Sequence, residues 1–90
     1  MNIMTDFRIH LVMKNAGLDY EDGTGVYHFG IRLRGRTWVV NANPTKGERF
    51  EPHVLSEDKR SRLFPRIEAF LSRIRWLGVW PMRYEVRFTT

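Results

Sequence analysis

The sequence predicts an α+β domain: a small antiparallel β-sheet with the order β-β-β-α-β along the chain and one amphipathic helix packed on one face. Three observations carry that prediction. Apolar and polar residues alternate over residues 7–14, 26–42 and 82–89, the period of strands with one buried face. Apolar residues over 63–77 instead fall on one arc at 100° per residue, the period of a helix. Ninety residues suit one domain, 1–90, with a single thin core of two layers.

In the first strand Phe7, Ile9, Leu11 and Met13 point inward, and Arg8, His10, Val12 and Lys14 outward. Residues 15–25 hold Asn15, Gly17, Asp19, Asp22, Gly23 and Gly25, and so read as a loop. Its acids Asp19, Glu21 and Asp22 lack the spacing of a calcium loop and read as solvated. The hairpin over 26–42 is the most constrained stretch. Tyr27, Phe29, Ile31 and Leu33 alternate with His28, Gly30, Arg32 and Arg34, and Trp38, Val40 and Ala42 with Thr37, Val39 and Asn41. Gly35-Arg36 between them suits a two-residue type II′ turn, which needs φ > 0 at its first central position. That turn sets Leu33 opposite Trp38 and Arg32 opposite Val39, so each face meets its own kind.

Residues 43–53 contain Pro44, Gly47 and Pro52 and read as a surface loop, with Phe50 anchoring it onto the core. Ser56 followed by Glu57 and Asp58 has the form of an N-cap with acids in the first turn. Pro65 then either starts the main helix or kinks a longer one. The apolar arc of Leu63, Phe64, Ile67, Phe70, Leu71, Ile74 and Leu77 ends at Gly78, a suitable residue just past a helix, after Arg73 and Arg75. In the last strand Met82, Tyr84, Val86 and Phe88 point inward.

A net charge of +5 and a pI near 10.2 come from twelve Arg and three Lys against ten acids. The planar guanidinium fork suits phosphate and carboxylate, although a GC-rich genome yields the same bias without any binding. With no cysteine there is neither a disulfide nor a thiolate zinc site, and a reducing compartment is expected. No apolar run is long enough to span a membrane, and no secretory segment is legible. The expected location is cytoplasmic.

One helix covers one sheet face, which leaves the other open. Outward parity gathers Arg8, Lys14, Arg32, Arg34, Arg83 and Arg87 there with His10 and His28, opposed by Glu85 alone. Such a face captures phosphates through counterion release; charged strands also discourage edge-to-edge aggregation. Because the aromatics take inward parity, duplex or structured nucleic acid or an acidic protein surface fits better than unstacked bases. A dimer through the open face is a further use of it.

A second surface is the helix flank of Arg62, Arg66 and Arg73 with Trp76, a composition found at interface hot spots. Against this, Trp76 could fold back on Trp80. His10 and His28 would suit acid and base work on a phosphodiester, but no third participant is specified, and both are expected to be dispensable. A zinc site from His10, His28 and His53 lacks a closely spaced ligand pair. No catalytic residue, metal or cofactor is therefore expected. The reading is a non-enzymatic binding protein whose basic sheet face engages a nucleic acid or nucleoprotein complex. The alternative is a stoichiometric inhibitor, of the kind phages and mobile elements encode, docking on a larger protein machine through the Arg and Trp helix face. A small ribonuclease ranks third.

Overall fold

The computed structural model describes residues 7–14, 16–73 and 84–89. The chain runs β1 (Arg8–Val12), β2 (Gly17–Asp22), β3 (Gly25–Arg34), β4 (Thr37–Asn41), β5 (Thr45–Lys46), β6 (Glu51–Pro52), α1 (Glu57–Ser72) and β7 (Glu85–Thr89). The strands form one sheet in the order β1-β2-β3-β4-β7, with β5 beside β3 and β6 beside β5. The α+β class holds, with a single helix among the described residues.

The hairpin closes as its turn requires. Gly35 takes a φ of 63°, while Arg36 stays out of the left-handed region. Leu33 lies opposite Trp38 and Arg32 opposite Val39. Trp38 is 1% exposed, whereas Leu33, near the tip of β3, remains 38% exposed.

Three features of the sheet differ from expectation. β4 and β7 pair in parallel, so the sheet is mixed rather than wholly antiparallel. The cause is connectivity: α1 lies between them in sequence, and a helical crossover is long enough to return the chain in the same direction. The second difference is β2, which lies in the segment expected to be a loop. Only Leu18 and Tyr20 alternate there among glycines and acids, and turn-forming composition outweighs so short a pattern. Tertiary pairing decides the matter. Leu18 meets Leu11 and Phe29, Tyr20 meets Ile9 and Tyr27, and both side chains are fully buried. In the segment expected to be a surface loop, β5 and β6 form a short hairpin around residues 47–50.

The core lies between the sheet and α1, where Leu63, Ile67 and Leu71 are fully buried against Trp38, Val40, Phe29 and their neighbours. Ser56 caps the helix by accepting from the Lys59 N–H at 3.1 Å, and Glu57 and Asp58 occupy the first turn. Pro65 sits within one continuous helix rather than at its start. It faces solvent, so its missing N–H leaves the Ser61 carbonyl on the exposed side. Arg73 is the C-cap. The predicted continuation through Ile74, Leu77 and Gly78, and the outward Arg83, lie outside the described residues.

Candidate functional site

Register places the outward residues in rows across the open face. One row runs Arg32, Val39, Arg87 and the next Arg34, Thr37, Glu85 over β3, β4 and β7. At about 4.8 Å between strands, Arg32 and Arg87 are roughly 10 Å apart at Cα. All three arginines are exposed, and among the described residues none is paired with a carboxylate. Glu85 instead accepts from the Thr37 hydroxyl at 3.4 Å.

The other half of the face is not basic, because β2 carries acids into it. Arg8 lies opposite Glu21 and His10 opposite Asp19, so the expectation that Glu85 alone opposes the basic set is corrected. Asp19 gathers the two histidines. Its carboxylate is 2.8 Å from His28 Nδ1 and 3.9 Å from His10 Nε2, while His28 Nε2 lies 2.9 Å from the Gly47 carbonyl. Both nitrogens of His28 are thus engaged within the chain, one with the Asp19 carboxylate and one with the Gly47 carbonyl. Lys14 is exposed at the β1–β2 turn, with a φ of 55°.

Phe50 is a second correction. It is 59% exposed, and its ring lies 4.2 Å from that of His28, over the open face rather than in the core. Its φ of 51° is a left-handed conformation that loop composition does not reveal. Opposite it stands Met13, 76% exposed with a φ of 54°. Between them β2 and β3 meet at Gly17 and Gly30, directly paired; Gly17 is buried beneath the Val12 and Met13 side chains, while the exposed Gly30 presents bare backbone. The result is a cleft of about 510 Å³ bordered by Met13, Phe50, Asn41 and Asn43. Through Gly30 and Asn41 it continues into a shallower depression, and through Arg32 and Val39 into the basic rows. These adjoining depressions make up a trough that is apolar at one end and lined at the other by Arg32, Arg34 and Arg87 together with Glu85 and the helix residue Glu68. Gly30, an outward glycine interrupting a clean strand alternation, was the available sequence signal for it.

The helix flank is differently placed. Arg66 donates to the Tyr20 hydroxyl at 2.6 Å and covers the Phe7 ring at 4.5 Å, and Arg62 pairs with Asp58 at 3.1 Å. Arg73 is exposed, and Trp76 lies outside the described residues. Burial pushes the Tyr20 hydroxyl above its ordinary 10.0, against the pull of Arg66.

On the helix side, Asp22 ties the sheet to α1. It accepts from the Thr24 N–H at 2.8 Å and the Thr24 hydroxyl at 2.6 Å, with Lys59 Nζ 3.6 Å away. Burial alone would raise its carboxyl, but the Thr24 bonds and the Lys59 charge together hold it below its ordinary 3.8. The linkage has a definite sign. A carboxyl depressed on folding contributes stability above its unfolded value and loses it as pH falls through the folded one. Asp22→Asn is therefore expected to flatten the decline of the urea midpoint as pH falls below about 4. An unchanged acid limb would remove Asp22 from this role.

In comparisons with known proteins, no family model matches the chain, and neither does any curated protein or solved structure. Among the described residues no helix is long and apolar enough to cross a membrane.

Proposed function

We propose that the chain is a non-enzymatic, cytoplasmic binding protein that engages a nucleic acid through the basic end of its open sheet face. The observation that supports this reading is the set Arg32, Arg34 and Arg87, held on β3 and β7, the two strands that flank β4, exposed and unpaired among the described residues. Strands fix the Cα positions, so only side-chain ordering opposes phosphate capture. The engagement of both nitrogens of His28 favours binding over phosphodiester chemistry, because moving a proton to substrate would break one of its two hydrogen bonds. Arg62 and Arg66 already serve intrachain contacts, which favours the sheet over the helix flank as the docking surface.

The test is a salt titration of binding to a short DNA. The logarithm of affinity should fall against the logarithm of salt with a slope near −0.9 per phosphate neutralised for duplex, and about −0.7 for a single strand. Absence of binding at low salt, or a slope near zero, would overturn the reading.

A further inference from the structure

We propose that the apolar end of the trough is a slot for an unpaired nucleobase, so that the nucleic acid held by the arginines is single-stranded where it crosses the sheet. The inference rests on the reading above and adds to it the state of the nucleic acid.

Three observations converge on it. The slot has a flat floor at Gly30, an exposed outward glycine above which nothing lies closer to a Cβ position than the Asn41 Cβ at 3.9 Å. It has an aromatic wall, since the Phe50 ring is supported from behind by His28 at 4.2 Å and still open to solvent. A supported, exposed ring beside a basic track is the arrangement on which bases stack. The third observation is strain. Phe50 and Met13, the two large apolar side chains at the mouth, both sit in left-handed backbone, at φ 51° and 54°. L-residues adopt that region at a cost, and burial does not offset it here, as both remain exposed. Strain held at a cleft is characteristic of binding sites.

Charge complementarity selects the occupant. Arg32 follows Gly30 by two residues on the same face, about 7 Å along the strand, so a base over the glycine floor brings its own phosphate toward the guanidinium. At the rim Asn43 supplies an amide of the kind that meets base edges, and Asn41 its Nδ2 group, the Asn41 Oδ1 already accepting from the Asn43 N–H at 2.9 Å. An aromatic peptide could fill the slot, but it would not carry a backbone charge along the Arg32, Arg34 and Arg87 track.

The experiment compares fluorescence anisotropy of a short oligothymidylate, an abasic strand of the same length and a duplex. The wild type should bind the oligothymidylate at least about tenfold more tightly than the abasic strand, the order expected of one stacked base. Phe50→Ala should erase that difference while leaving the salt slope unchanged, and Phe50→Trp should keep it. Gly30→Leu should erase it by filling the slot; a Cβ there meets nothing closer than the Asn41 Cβ at 3.9 Å. If Gly30→Leu lowers the melting temperature, Phe50→Ala decides alone. Equal affinity of the wild type for the thymidylate and abasic strands would overturn the slot but leave the basic face standing. So would Phe50→Ala binding like the wild type, or displacement of the thymidylate by an acidic aromatic peptide through the same residues. Failure to bind any of the three nucleic acids would overturn the function itself.

Discussion

Replacing Arg32 and Arg34 together by Glu is expected to weaken nucleic-acid binding about a hundredfold at low salt and to flatten the salt dependence by roughly 1.8 units of slope on duplex DNA. The reasoning is additive over two contacts. A charge-assisted bond to phosphate contributes on the order of a tenfold factor, and each lost phosphate contact removes about 0.9 from the slope. Glu adds repulsion to the loss. Both side chains are exposed and outward on β3, so circular dichroism and the melting temperature should change little. The matched control is Arg62→Glu with Arg73→Glu on α1. Arg66 is unsuitable for it, because its change would also release the Tyr20 hydroxyl and uncover Phe7. If the helix pair abolished partner binding while the sheet pair left affinity and slope intact, the docking-inhibitor reading would replace the present one.

Trp38→Ala is expected to be the most damaging core change, at about 3–5 kcal/mol. A chain of this size is stable by roughly 5–13 kcal/mol, so the variant would lose a large share of its folded population. The side chain is 1% exposed, lies between Leu33 and Val86 on neighbouring strands, and meets the Tyr84 ring at 6.1 Å. Little around it can collapse into the void, since its neighbours are fixed in three strands. Val39→Ala, on the same strand but facing the open side, should cost about 1 kcal/mol or less. Urea midpoints compare the two directly, and a Trp38→Ala shift no larger than that of Val39→Ala would show that the indole does not anchor this core.

The hairpin was legible because two local signals agreed: Gly35 demanded a turn type, and the flanking alternation matched its register. The helix start was legible for a similar reason, with Ser56 and the two acids after it acting within one turn. What escaped depends on contacts distant in sequence. Leu18 and Tyr20 are too few to reveal a strand until β1 and β3 flank them, and Asp19 acquires its meaning only when His28 arrives beside it. The parallel pairing of β7 has no local signature at all. Phe50 was misplaced because the side of the sheet it covers follows from one positive φ, which the loop's composition does not encode. Of the candidate site, the arginines were readable by parity; the slot was not, apart from the outward Gly30.

The pairing of β4 with β7 also sets the order in which the face is assembled. Thr37 and Glu85 are 48 residues apart, whereas β3 and β4 are joined through two. Closing the longer loop has the greater entropic cost, so the hairpin carrying Arg32 and Arg34 forms early and the strand carrying Arg87 docks late. Mutations in β7 should accordingly accelerate unfolding with little effect on the refolding rate, the behaviour of contacts absent from the transition state. In stopped-flow kinetics, Val86→Ala should steepen nothing on the refolding arm and raise the unfolding arm; a slowed refolding arm would place β7 in the nucleus. The third arginine is then the part of the face most often missing when the native state opens locally, and binding that requires it holds the last strand in place.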